Sequence, residues 1–150
     1  MKNILVINGP NLNLLGKREL EIYGKTSLKE IENKTKEFSK NIKLNIDFKQ
    51  SNEEAKIISW IHLCVDNKYD GLLINAGAYT HTSIAIMDAL KAMKNIPIIE
   101  VHLSNIHQRE EFRKKSYISG VANGVIFGFG EYSYILAIMA IENLLKKNNG

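Results

Sequence analysis

Five short strand candidates, separated by segments of helical periodicity, constrain the fold of this 150-residue chain more than any other feature. They are residues 3–8, 44–50, 71–75, 97–102 and 124–127. Helical patterns lie between them at residues 27–40, 52–67, 82–93, a short one near 108–116, and 131–147. The first candidate contains Ile4-Leu5-Val6-Ile7, apolar on both sides, as a strand buried on both faces requires. Strands alternating with helices predict a parallel sheet covered by helices on each side.

Helix boundaries are marked in two places. Ser27 precedes Glu30 by three residues, and Ser51 precedes Glu54 likewise, so each pair predicts a capping box. After the first, Leu28, Ile31, Thr35, Phe38 and Ile42 recur at three- and four-residue spacing, one face of an amphipathic helix. The expected fold is therefore α/β, a flavodoxin-like three-layer sandwich with a five-stranded parallel sheet. No repeat, low-complexity tract or linker divides the chain, so residues 1–150 read as a single domain.

With 45% hydrophobic and 24% charged residues, the chain can build a core and is not a disordered one. Its formal net charge of +4 comes from scattered lysines rather than a basic stripe with interleaved aromatics. That pattern argues against nucleic acid and suits a small anionic substrate. One cysteine, Cys64, offers neither a disulfide nor a cysteine-rich zinc framework. The amino terminus opens directly into a strand, and no run approaches the roughly 18 apolar residues of a membrane span, so a cytoplasmic location is expected. Residues 82–93 and 134–141 are too apolar for burial on one side only, which favours an oligomer.

In this architecture the carboxyl ends of the strands form one rim, where ligands bind. Three segments bring polar groups to it. The first strand runs into a long loop, Asn8-Gly9-Pro10-Asn11-Leu12-Asn13-Leu14-Leu15-Gly16-Lys17-Arg18, closing at Tyr23-Gly24. The third strand ends in Asn75-Ala76-Gly77-Ala78-Tyr79-Thr80-His81, and the fourth in Glu100-Val101-His102-Leu103-Ser104-Asn105. Because side chains alternate along a strand, Glu100 and His102 point the same way. A carboxylate beside a histidine orients the ring and favours its charged form, as a general acid requires. The turn at Ser104 has backbone N–H groups suited to a carboxylate.

Over residues 108–116, Glu110 and Glu111 each have a lysine four residues on, whereas Arg109 and Arg113 lack such partners. At least one of these arginines is then free to meet an anion or a polyhydroxyl ligand. Asp88 is the one acid in residues 82–93, and spacing alone leaves it exposed or facing a neighbouring subunit.

Several chemistries are excluded. Six residues separate Gly9 from Gly16, and Arg18 stands where a phosphate loop needs Ser or Thr. No G-x-G-x-x-G follows the first strand; Gly128-x-Gly130 comes late and lacks the third glycine. No acidic residues follow the first strand to hold magnesium. His81, His102, His107 and Glu100 match no familiar metal-ligand spacing. What remains in the loop is Arg18 near Tyr23. An arginine beside a tyrosine stabilises a phenolate, a base strong enough to remove a proton next to a carbonyl.

Together these residues resemble the type II 3-dehydroquinate dehydratases, a family without cofactors. The resemblance covers essentially the whole chain and rests on Asn8-Gly9-Pro10-Asn11-Leu12, Arg18 with Tyr23-Gly24, Asn75-Ala76-Gly77 with Thr80-His81-Thr82-Ser83, and Glu100-Val101-His102-Leu103-Ser104-Asn105. Arg109-Glu110-Glu111-Phe112-Arg113 and Ser116-Tyr117 add to it. It implies dehydration of 3-dehydroquinate to 3-dehydroshikimate through an enolate, in the shikimate pathway. The implied catalytic residues are Tyr23 as base, Arg18 as its activator, Asn11 holding a water, His102 as acid and Glu100 orienting it. The implied substrate contacts are Asn75, Leu103 and Ser104 for the carboxylate, and His81, Arg113 and a neighbour's Asp88 for the hydroxyls. A homododecamer built as a tetramer of trimers is also implied. The rival reading is a non-enzymatic flavodoxin-like module that carries flavin or nucleotide.

Overall fold

The computed structural model describes residues 1–149 of the chain. Strands β1 (Lys2–Asn8), β2 (Leu44–Gln50), β3 (Gly71–Asn75), β4 (Ile98–His102) and β5 (Gly124–Phe127) form one parallel sheet in the order β2-β1-β3-β4-β5. This is the flavodoxin-like order. The helices are α1 (Leu20–Tyr23), α2 (Leu28–Asn41), α3 (Glu54–Val65), α4 (Ile84–Lys91) and α5 (Tyr132–Asn148).

Strand alternation sorts the core into two layers. Ile4, Val6, Leu73, Ile99 and Val101 pack with Ile31 of α2 and with Ala137, Ile138 and Ile141 of α5. Leu5, Ile7, Leu72, Ile74 and Ile98 pack on the opposite face with Ile57 and Ile61 of α3 and Ile86 and Leu90 of α4. Glu100 and His102 share the face of Ile98 by the period of two. The chain leaves β1 toward β2 on one side and returns to β3 on the other. The carboxyl ends of β1 and β3 therefore flank a switch point, with Asn8 and Asn75 directly in register.

Two local expectations are corrected. Ser27 does cap α2, accepting from Glu30 N at 3.2 Å. Ser51 does not cap α3: its hydroxyl accepts from Glu53 N at 2.9 Å, and α3 begins later, at Glu54, without a side-chain cap. The reason is that Ser51 N is held by the Asn8 carbonyl at 3.0 Å, which keeps Ser51 beside the sheet. The helix expected near residues 108–116 is instead two 3-10 turns, Ile106–Gln108 and Glu111–Arg113. Side chains three apart eclipse in such turns. Glu110 consequently pairs with Arg113 at 2.5 Å and Glu111 with Lys114 at 2.9 Å. Arg113 thus has an acidic partner, contrary to the periodicity reading.

The two over-apolar helices each bury one stripe. In α4 that stripe is Ile86, Ala89 and Leu90, while Ile84 is 54% exposed. In α5 Met139 remains 46% exposed. Among the described residues, no helix is long and apolar enough to cross a membrane.

Candidate active site

The loop after β1 is shaped by how closely it passes the loop after β3. A Cβ on Gly9 would lie 2.3 Å from the Ala76 carbonyl oxygen, so no larger residue fits there without displacing backbone. Asn11 follows in the left-handed region at φ 67°, a conformation asparagine tolerates better than most residues. Its backbone N–H donates to Asn52 Oδ1 at 3.0 Å, and Gln50 Nε2 donates to the Gly9 carbonyl at 3.2 Å. Leu12 and Leu15 are buried and anchor the loop, whereas α1 beyond them buries no residue.

Tyr23 closes that loop between two cations. The Arg18 guanidinium carbon lies 4.9 Å from its ring centroid and that of Arg109 lies 5.1 Å away. Arg18 also pairs with Glu19, while its Nε is buried without a partner. Arg109, whose task spacing left open, therefore sits in the cleft beside Tyr23.

On β4, Glu100 is wholly buried and His102 nearly so. His102 Nε2 lies 2.5 Å from Glu100 Oε2, which leaves Nδ1 as the ring nitrogen available for chemistry. Ser119 Oγ donates to Glu100 Oε1 at 2.6 Å, and Ser116 Oγ donates to the same oxygen at 3.0 Å. Burial alone would raise the Glu100 carboxyl. The hydrogen bonds and charge of His102, with the two serine hydroxyls, outweigh it and hold the group below its ordinary value.

From the loop after β3, His81 brings its Nδ1 within 2.7 Å of the Lys115 carbonyl. A carbonyl only accepts, so Nδ1 carries the proton and Nε2 of the neutral ring is an acceptor. Burial pushes His81 below its ordinary value, helped by the charges of His102 and Arg113. The His81 and His102 rings lie stacked with centroids 6.4 Å apart.

A cleft of about 130 Å³ joins these groups. Nine of the eleven expected site residues line it: Asn11, Arg18, Tyr23, Asn75, His81, His102, Leu103, Ser104 and Arg113. Glu100 lies beneath it, behind His102. Asp88 does not reach the cleft of its own chain and is exposed on the outer side of α4. A larger depression of about 890 Å³ at the other end of the sheet has Lys91 as its one titratable lining residue, so chemistry concentrates in the smaller cleft. Among the described residues, no three His, Cys, Asp or Glu side chains group as metal ligands.

The family model described as Dehydroquinase class II matches residues 2–142. The chain belongs to the class II dehydroquinases. This dehydroquinase is similar to the 3-dehydroquinate dehydratase of Clostridium botulinum, at 57% identity over 150 residues covering 99% of this chain and 97% of that one. It is 53% identical to the 3-dehydroquinate dehydratase of Rhizobium johnstonii over 143 residues, covering 95% and 97%. Among solved structures, the type II dehydroquinase of Butyrivibrio crossotus matches with a TM-score of 0.90 at 46% identity, covering 97% of each chain.

Three groups in this dehydroquinase escaped the sequence reading: Ser116 and Ser119 beneath Glu100, and the Tyr134 hydroxyl beside Asn75. Ser116-Tyr117 stood out as a motif, without any sign of what the serine holds. Tyr134 sat inside an apolar run and read as core.

Proposed function

We infer that this chain is a 3-dehydroquinate dehydratase, a hydro-lyase that converts 3-dehydroquinate to 3-dehydroshikimate and water in the shikimate pathway. The observation that carries the mechanism is a tyrosine flanked by two guanidinium groups, in the same cleft as a histidine anchored on a buried carboxylate. In this reading Tyr23, as phenolate, removes the C2 proton next to the ketone. Positive charge from Arg18 and Arg109 over the ring compensates the phenolate. The resulting enolate is stabilised by a water held with the help of Asn11. His102 delivers a proton to the departing C1 hydroxyl, completing an anti elimination, and Glu100 holds its ring for that step.

Substrate contacts follow from the same geometry. Asn75 and the Leu103–Ser104 turn meet the carboxylate, while His81 and Arg113 meet ring hydroxyls. The neutral His81 ring offers an acceptor to a hydroxyl donor. Residues 8–24 act as a lid that carries the base, consistent with an α1 that buries nothing. Asp88, exposed among Ile84 and Ala85, is read as a contact to a neighbouring protomer's site in a dodecamer made of trimers. The dodecamer rests on the resemblance to the family, and the single domain 1–150 and the cytoplasmic location rest on the sequence pattern.

The test is direct. Purified protein given 3-dehydroquinate, without added cofactor, generates an enone whose ultraviolet absorbance rises with time. A coloured or nucleotide-loaded protein with no such rise would instead support the flavin or nucleotide carrier, whose phosphate-binding motifs this chain lacks.

A further inference from the structure

Tyr134 of α5 has no exposed surface, yet its hydroxyl makes two hydrogen bonds. It donates to Asn8 Oδ1 at 2.5 Å and accepts from Asn75 Nδ2 at 3.0 Å. Asn8 Nδ2 in turn donates to the Lys49 carbonyl at 3.0 Å, and Asn75 Oδ1 accepts from Gly77 N at 3.2 Å. Asn8 and Asn75 are wholly and nearly wholly buried, and Asn75 lines the cleft.

We propose that Tyr134 is a positioning residue that fixes which end of the Asn75 amide faces the substrate. The proposal rests on the reading that Asn75 meets the substrate carboxylate. The chain of bonds runs in one direction only. The Lys49 carbonyl can only accept, so Asn8 must turn its NH2 toward it and its oxygen toward Tyr134. Tyr134 has a single proton, which that oxygen takes. Its lone pair must then receive a donor, and Asn75 supplies one from Nδ2. Asn75 Oδ1 is thereby left for the Gly77 N–H. Turning the amide over would set oxygen against a committed hydroxyl and NH2 against an N–H, two buried mispairings. One N–H of Nδ2 goes to Tyr134 and the second remains. Asn75 therefore offers the cleft a donor, the polarity a carboxylate needs. Burial pushes the Tyr134 phenol upward, so its proton stays in place throughout the working pH range.

The test compares kcat, KM and thermal melting for the wild type, Tyr134→Phe, Asn75→Ala and the double variant, with 3-dehydroquinate as substrate. Tyr134→Phe keeps the ring in the core and melts cooperatively. Its KM rises about tenfold, the cost of a buried amide losing its partner, and kcat changes less. The double variant is no worse than Asn75→Ala, because the two residues act as one unit. If Asn75→Ala raises KM and a folded Tyr134→Phe does not, the positioning role is overturned. If Asn75→Ala leaves KM unchanged, the carboxylate reading itself falls and takes the proposal with it. Should Tyr134→Phe fail to fold, Asn8→Leu and Asn8→Asp replace it. Leucine frees the Tyr134 proton to turn and raises KM, whereas the aspartic acid, kept protonated by burial so that its hydroxyl donates to the Lys49 carbonyl, retains the acceptor and keeps KM at the lower value. Equal KM values for those two would equally overturn the role.

Discussion

Replacing Glu100 by Gln keeps the side chain's shape and deletes its charge, in a place where three donors converge. His102 Nε2, Ser119 Oγ and Ser116 Oγ stand 2.5, 2.6 and 3.0 Å from the carboxylate oxygens. A glutamine there loses the charge-assisted part of each bond and must turn an NH2 toward at least one donor. Breaking a buried ionic partnership in this way costs about 3–5 kcal/mol. A domain of this size loses roughly 2–4 °C of Tm per kcal/mol, so Glu100→Gln melts roughly 10 °C below the wild type. The pH dependence has a definite sign. Burial raises the Glu100 carboxyl, the bonds from His102 and the serines together lower it by more, and the net value lies below the ordinary 4.5. Its stabilisation is therefore complete above pH 4.5 and is lost as pH falls through the lowered folded value. Melting followed from neutral pH downward shows the wild type and Glu100→Gln converging in that acid window. With His102 no longer held, kcat falls by about 10²-fold. A variant that melts at the wild-type temperature, with the same acid limb and the same kcat, would refute the picture of an ionised carboxylate anchoring the acid.

Tyr23→Phe loses about 10²–10⁴-fold in kcat while equilibrium binding of substrate is retained, and near-normal turnover would remove Tyr23 as the base. His81, lowered below its ordinary 6.5, remains mostly neutral at pH 6.5 with its proton on Nδ1, as ¹⁵N NMR of the ring reports; a half-charged ring at that pH contradicts its burial. Because the native state binds fewer protons there, the stability His81 contributes is complete above 6.5 and declines as pH falls below it. Gly9→Ala places a methyl 2.3 Å from the Ala76 carbonyl oxygen, and thermal melting registers a loss of about 1–3 kcal/mol.

Alternation of strand-like and helical segments was enough to find every strand: β2, β3 and β5 begin and end where expected, β3 as an apolar run and the edge strand β2 by alternation of Leu44, Ile46 and Phe48 with polar residues. That legibility has a physical source. A strand buried on both faces leaves no room for polar residues, and a rim exposed to ligand collects them. The residues after β1, β3 and β4 therefore announced a site before their geometry was visible. The helix expected over residues 108–116 does not form, for the opposite reason. Their charges repeat at helical spacing, but Asn105 accepts from His107 N at 3.1 Å and closes one turn. Buried Ile106 and Ile118 tie down both ends of the segment, and Ser116 reaches across to Glu100. Contacts outside the segment outweighed its periodicity.

Composition and pattern along the chain thus settled the fold class, the strand positions and the rim on which polar groups gather, because those follow from which residues can leave water. They could not say which groups touch. Tyr134 meets Asn75 across 59 positions and Asn8 across 126, through an α5 whose apolar face looks like any other core helix. Arg109 met Tyr23, and Ser116 and Ser119 met Glu100, on the same terms. Such contacts depend on the angle at which distant elements pack, and hydrogen-bond direction is defined only once both partners are in place.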